Sequence, residues 1–288
     1  MNYVSMLLCA IPCALFGQED ALPLFVTEFR TELVQVPVTV RESPYANRDL
    51  AIGDFVILED GIPQEIAFFE KAGQVHIGFV LDKTHSMRPA IALAKKAAIG
   101  ILESLNRDDR AFLVTFGGRP PRLEIPLTGD KQKVAAKVGT LRAGGGYSQV
   151  WDALEIGLKQ LAPIQGKKAL IVISDADDQT SRLKFGKLLD LAKREDVPLY
   201  FVGLNVQTLT TRRFIQNLAE ATSGKVTVTD SPEALKAILE EIAGELQRQY
   251  LLGYYTTQPE QKKGFRTIEV LLKTERPYLL EYRKGYQQ

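Results

Sequence analysis

The sequence predicts an α/β fold: a doubly wound, mostly parallel sheet with helices on both faces, joined to a small β-sandwich built from the N- and C-terminal segments. Three observations predict it. Between residues 73 and 248, short continuous apolar runs alternate with amphipathic stretches of helical period. That is the pattern of buried parallel strands and their crossover helices. Residues 25–72 carry strand and hairpin signals alone, and residues 249–288 do so again.

Each element follows in order. Residues 4–16 read VSMLLCAIPCALF, an apolar run of signal-peptide length. It is too short for a membrane span of about 20 residues. Gly17-Gln18-Glu19-Asp20 follows, where cleavage is expected, so residues 1–17 are read as an export signal. No Lys or Arg precedes the run and Pro12 interrupts it, and the alternative is a buried first strand or helix. Both cysteines, Cys9 and Cys13, lie within it. Its removal leaves no thiol, which excludes a disulfide framework and a Cys-type zinc site.

Residues 33–40 form a β-branched run with partial alternation, and Ser43-Pro44-Tyr45-Ala46-Asn47 is turn chemistry. Residues 55–58 are a short strand, Glu59-Asp60-Gly61 carries a tight-hairpin signal, and residues 64–69 are the returning strand. From residue 73 the period changes. Residues 75–81 are a continuous apolar run. A helix is expected over 88–105, with Ile91, Ala94, Ala98, Ile101, Leu102 and Leu105 on one face. Residues 111–116, 169–173, 198–202 and 226–228 read as strands, and 130–141, 149–162, 181–195 and 209–222 as helices. Ser223-Gly224 ends the last of these, and Ser231-Pro232-Glu233 caps a final helix to about residue 249. The tail returns to strands at 250–256, 265–273 and 278–283. Three strands alone are marginal, and the first segment is too small for its own core. The segments 25–72 and 249–288 are therefore expected to pack together, with an α/β domain at 73–248 inserted between them.

The chain has 288 residues, 45% hydrophobic and 25% charged, ordinary globular values that supply a real core. Its 36 basic and 35 acidic residues are well mixed and give a net charge of +1. With no basic stripe, nucleic acid is excluded as the natural partner. No other segment is apolar for long enough to span a bilayer.

In an open α/β sheet, ligands bind at the carboxyl ends of the strands, where strand order reverses. Three loops place oxygen side chains there. The first, after residues 75–81, reads Asp82-Lys83-Thr84-His85-Ser86, with one carboxylate and two hydroxyls at i, i+2 and i+4. The second, Gly144-Gly145-Gly146-Tyr147-Ser148, precedes the helix with Trp151 and Asp152. The third, after 169–173, reads Ser174-Asp175-Ala176-Asp177-Asp178. Asp82, Thr84, Ser86, Ser148 and Asp175 make an all-oxygen set suited to Mg²⁺, Mn²⁺ or Ca²⁺ and unsuited to zinc or copper. Two carboxylates leave such an ion under-neutralised, open to one more anionic oxygen.

These loops resemble the metal-ion-dependent adhesion site of von Willebrand factor type A domains, Asp-x-Ser-x-Ser followed by a distant Thr and a distant Asp. Asp82, Thr84 and Ser86 match the first part, with Thr84 at the first Ser. Ser148, four residues before Asp152, falls on the Thr position. Asp175 matches the later Asp, Ala176 replaces a Gly, and Asp178 is retained. The resemblance spans about 73–248. Phe55 with Glu59-Asp60-Gly61, Phe68-Phe69-Glu70, Leu252-Gly253-Tyr254-Tyr255 and Arg283-Lys284-Gly285-Tyr286 extend it toward secreted bacterial proteins of the acidobacterial branch. It implies a Mg²⁺-binding, exported, non-enzymatic adhesion module that captures an acidic residue of a protein partner. It also implies direct ligation by the hydroxyls, some carboxylate contacts through water, and outer-shell support from Asp178. The chain departs from the family at His85, which replaces a Gly, at Lys83 beside the loop, and at Tyr147, an insertion.

An enzyme is the first rival. There is no phosphate-binding Gly-x-x-x-x-Gly-Lys-Ser/Thr, no Gly-x-Gly-x-x-Gly after the first α/β strand and no Gly-x-Ser-x-Gly elbow, and His76 and His85 are the sole histidines. His76 reads as structural and Trp151 as core. A metal-free structural or interaction module with a degenerate loop is the second rival.

Overall fold

The structure is a computed structural model that describes residues 33–41, 50–71, 73–118, 120–195, 197–204, 206–222, 224–229, 231–257, 264–273 and 279–287. The expected export signal at 1–17 and the turn at 43–47 lie outside the described residues. Along the chain, β1 (Leu33–Arg41) leads to a 3-10 turn at Ile52–Asp54, then β2 (Phe55–Glu59), β3 (Ile62–Gln64) and β4 (Ile66–Glu70). The α/β segment follows as β5 (Val75–Asp82), α1 (Ile91–Ser104), β6 (Arg110–Phe116), β7 (Arg122–Thr128), α2 (Lys131–Thr140), α3 (Val150–Leu161), β8 (Lys167–Ser174), α4 (Phe185–Glu195), β9 (Leu199–Gly203), α5 (Leu209–Ala221), β10 (Lys225–Val228) and α6 (Pro232–Arg248). The tail holds β11 (Tyr250–Tyr255), β12 (Phe265–Leu272), β13 (Leu279–Tyr282) and β14 (Gly285–Gln287).

The central sheet has the order β10-β9-β8-β5-β6-β7, all parallel except β7, which runs antiparallel to β6. Every residue of β5 is buried, because helices cover both faces. Successive side chains of a strand point to opposite faces. Ile77, Phe79 and Leu81 accordingly join α1, α2 and α6 in one core, while Val80 joins α3, α4 and α5 in the other. The chain leaves β5 for β6 on one side and returns to β8 on the other. Strand order thus reverses between β5 and β8, and a crevice opens at their carboxyl ends.

Both terminal sheets mix the two ends of the chain. One has the order β13-β1-β11-β4 and the other β14-β12-β2-β3. They enclose a shared core that includes Val34, Val36, Val38, Ile57, Leu252, Tyr254, Ile268 and Val270. β1 pairs on both sides with strands of the tail. The Glu59 carboxylate, fully buried, accepts hydrogen bonds from the Tyr254 hydroxyl at 2.9 Å, the Tyr286 hydroxyl at 2.6 Å and Thr256 Oγ1. One acid thereby ties β2 to two strands of the tail.

Four element readings need correction. The return strand expected over 64–69 is split. After the Asp60-Gly61 turn, where both residues have positive φ, β3 pairs with β2 for three residues, and β4 then crosses to the other sheet beside β11. Gln64 anchors the corner through Thr257. β7 was not anticipated. It is an edge strand, a position where proline is tolerated, with an exposed Pro126 and no alternation of burial. β14 was also not anticipated; it pairs with β12 for three residues only. Finally, α4 begins at Phe185 rather than 181, because residues 179–183 serve as a clasp described below.

Two outcomes follow. Truncation after Gln249 removes both neighbours of β1, so limited proteolysis should open residues 33–70 while the α/β segment persists; unchanged resistance of that segment would contradict the sharing of strands. Tyr254→Phe leaves one lone pair of a buried carboxylate unpaired and should cost about 1–3 kcal/mol, read from urea denaturation.

Candidate metal centre

The site is built where β5 ends. Asp82 is the last residue of the strand and is 1% exposed. Its Oδ1 accepts from the Thr84 amide at 2.7 Å and from Thr84 Oγ1 at 2.6 Å, and its Oδ2 accepts from Ser174 Oγ at 2.6 Å. Thr84 Oγ1 lies 2.9 Å from Ser86 Oγ. Asp82, Thr84 and Ser86 therefore form one chain of oxygens, and Ser174, outside the expected set, joins it from the third loop. Burial pushes the Asp82 carboxyl up to about 6, with the charge of nearby Asp175 adding to the rise and the Ser174 and Thr84 donors opposing it.

The second loop is zipped onto the first. Thr84 and Gly145 form a parallel bridge, His85 N donates to Gly145 O at 2.9 Å, and the amides of Gly144 and Gly145 both donate to Lys83 O at 3.1 Å. This contact is backbone on backbone and requires glycine. A Cβ on Gly145 would sit 2.3 Å from the carbonyl carbon of Gly117. Gly117 and Gly118, just past β6, have φ of +122° and +72° and would likewise collide with Thr84 N and Gly145 Cα at 2.7 Å. Sequence reading missed this Gly-Gly pair. Its signal was a double glycine at a strand end on the same edge of the sheet as the other loops.

The third loop closes the arrangement. Ala176 has φ +60°, a left-handed conformation that explains why the resembled motif carries Gly there. Here the alanine accepts strain of about 1 kcal/mol while its methyl is buried in the core. Asp175 Oδ1 accepts from Asp177 N at 3.2 Å. The amides of Gln179 and Thr180 donate to Ser148 O at 3.1 and 3.0 Å. Asp178 Oδ1 accepts from Trp151 N at 3.2 Å and from Ser181 Oγ, so it caps the first turn of α3. Asp152 answers from α3, accepting from Arg182 N at 3.0 Å and Leu183 N at 2.9 Å. Asp152 entered the sequence reading as a reference point only; it is half of the clasp that holds the third loop.

Ser148 is 3% exposed, and its hydroxyl has no hydrogen-bond partner among the described residues. A buried orphan hydroxyl is costly unless something uses it. A hard cation accepting its lone pair would do so, which makes the donor set fit such an ion. Among the described residues no group of three or more His, Cys, Asp or Glu is placed to hold a metal ion, so a cation here would depend on the hydroxyls of the candidate set as much as on its two carboxylates.

The three departures leave the oxygens intact. Lys83 turns toward Glu124, 3.8 Å away, which also holds Lys137 at 2.9 Å. His85 is exposed. Tyr147 is 71% exposed, with its carbonyl accepting from Gly118 N at 3.1 Å, so the insertion bulges outward and Ser148 stays buried. His76 lies six residues from Asp82 along β5, about 20 Å away, and burial holds its imidazole below the usual value. It belongs to the opposite end of the sheet. Trp151 packs edge-on against Phe185 and Phe214 in the core.

Residues 77–177 match the family model of the von Willebrand factor type A domain, a stretch that includes all five candidate ligands. That segment is similar to von Willebrand factor type A domains. Among solved structures, a von Willebrand factor type A protein from Catenulispora acidiphila superposes with a TM-score of 0.56 at 12% identity, covering 81% of this chain and 73% of that one. The PilB minor pilin from Streptococcus sanguinis gives 0.51 at 11% identity and 62% of each chain. At such identities the likeness is one of fold. No curated protein matches the sequence.

The raised carboxyl of Asp82 has a pH consequence. Its folded value of about 6 lies above the ordinary 3.8, so the native state binds the proton more tightly than the unfolded chain. Its contribution to stability therefore falls as pH rises from about 4 to 6 and is flat above that. In EDTA, Asp82→Asn should gain stability over the parent at pH 7.5 and gain less at pH 5, in thermal melts at both values. Equal gains would show that the Asp82 charge is not strained by burial.

Proposed function

We propose that the protein is an exported binding module, not an enzyme, that holds one divalent cation and uses it to capture an acidic side chain of a protein partner. Mg²⁺ is the first choice of ion, with Mn²⁺ or Ca²⁺ as alternatives. Asp82 and Asp175 supply the negative charge, and Thr84, Ser86 and Ser148 the neutral oxygens. Asp178 supports them from outside through its bonds to the start of α3. The observation that carries the reading is the buried, unpartnered Ser148 hydroxyl, on a loop zipped by backbone bonds to the Asp82–Thr84–Ser86 chain. A bound ion would satisfy that hydroxyl and relieve the repulsion between Asp82 and Asp175. With two carboxylates around a dication, a partner's Asp or Glu completes both charge and coordination.

Export is supported by the apolar leader-like run at residues 4–16. No helix among the described residues is long and apolar enough to cross a membrane. A metal-free interaction module is the second reading, favoured by the Asp82–Ser174 and Thr84–Ser86 bonds, which hold the loops without an ion.

Calorimetric titration of Mg²⁺ and Mn²⁺ decides between them. Wild type should take up at least one ion at millimolar concentration or below. Asp82→Asn and Asp175→Asn should abolish uptake with the fold retained by circular dichroism. Ser148→Ala should weaken it less, since water can replace one neutral ligand. No uptake by wild type would leave the metal-free module as the function of this domain.

A further inference from the structure

We propose that the segment captured at this face carries two acidic residues close in sequence, one for the ion and the second for Arg88, with Tyr147 packing against the chain beside them. This deepens the metal-dependent reading above and rests on it.

Arg88 follows the 3-10 turn His85–Met87 that presents Ser86, and its amide donates to His85 O at 3.1 Å. Its guanidinium lies against the second loop, with Nη2 3.8 Å from the point a Cβ on Gly144 would occupy. Arg88 is exposed, and among the described residues its guanidinium has neither ion pair nor hydrogen bond. The other cation of the first loop is engaged: Lys83 shares Glu124 with Lys137. Arg142, exposed two residues before Gly144, adds charge of the same sign.

Apart from the buried Asp82, the acids of the site lie on the other side. Asp175, Asp177 and Asp178 all belong to the third loop, where Asp177 accepts from Gln179 and Asp178 caps α3. The rim is therefore polarised, cationic over the first and second loops and anionic over the third. A partner acid on the ion finds an unpaired guanidinium on one side and repulsion on the other. Guanidinium is the cation best shaped to grip a carboxylate with two hydrogen bonds. Arg88 stands two positions after Ser86, so the two acids must be near neighbours. Acids at i and i+2 of an extended segment stand on one face about 7 Å apart, which suits this step.

Tyr147 supplies the apolar part. It is 71% exposed, yet its backbone is pinned through Gly118. It sits one residue before Ser148 and three after Gly144. Tyrosine and arginine are the side chains that most often anchor protein interfaces, and here one of each flanks the ion.

The test uses three labelled peptides, identical except for an Asp-Ser-Asp, Asp-Ser-Asn or Asn-Ser-Asn core, followed by fluorescence anisotropy in Mg²⁺ or EDTA. The two-acid peptide should bind the full chain at least tenfold more tightly than the one-acid peptide, in Mg²⁺ only. Arg88→Gln should bring that ratio close to one while its Mn²⁺ titration stays as in wild type. Tyr147→Ala should weaken both acidic peptides by a similar factor. A ratio unchanged in Arg88→Gln overturns the proposal, as does absence of peptide binding by protein that takes up the ion; the metal reading survives either result. A two-acid preference that persists in EDTA or in Asp82→Asn overturns it in favour of a general polyanion patch. Failure of wild type to take up any ion removes the metal reading and this inference together.

Discussion

The structure turns on one buried carboxylate. Asp82 ends a strand with no solvent on either face, and desolvation works against its charge. Its neighbours are arranged accordingly: Thr84 turns back to donate twice, and Ser174 reaches over from β8 to donate once. Those bonds draw the first and third loops together across the crevice where strand order reverses. They offset part of the desolvation but not all of it, since the carboxyl stays well above its ordinary value. A cation bound beside it would relieve that remaining cost, which is the physical basis of the reading proposed above.

Around that carboxylate the second loop is held to the first by backbone bonds. Glycines 117, 118 and 145 let main chains approach to distances no Cβ would permit, and Asp152 and Asp178 bond main-chain amides across the gap between α3 and the third loop. This division leaves the side chains of Ser148, Tyr147 and Arg88 free of structural duty. It also explains why bulky replacements at 85 and 147 are tolerated: both project outward from a scaffold they do not support.

Much of this was legible in the sequence, for identifiable reasons. β5 and β8 are buried on both faces, so they read as unbroken apolar runs, and the oxygen-bearing residues follow them directly. The i, i+2, i+4 spacing of Asp82, Thr84 and Ser86 is local, and the hydrogen-bonded chain is its direct consequence. What escaped was non-local or patternless. β7 is an exposed edge whose residues show no period. The break at Glu65 between β3 and β4 depends on which sheet each half joins, which Thr257 and β11 decide from almost 200 positions away. Gly117–Gly118 and Ser174 matter only because of what lies opposite them. The delayed start of α4 follows from a clasp to α3 that no helix signal records.

The position of the β-sandwich bears on how the site works. It is fastened to the α/β segment at the opposite ends of the strands from Asp82. Gln35 of β1 accepts from Gly166 N at 3.2 Å, just before β8 starts. Lys167, the first residue of β8 and 1% exposed, donates through Nζ to Lys71 O at 2.6 Å, just after β4 ends. β8 has eight residues, so these contacts lie about 26 Å from its carboxyl end. Burying a lysine there is costly, and desolvation lowers its affinity for the proton, with Glu70 and Asp109 opposing that shift. The link nevertheless uses it, and with it a fixed attachment between two parts of the chain. Among the described residues, these attachments hold the sandwich at the pole opposite Asp82.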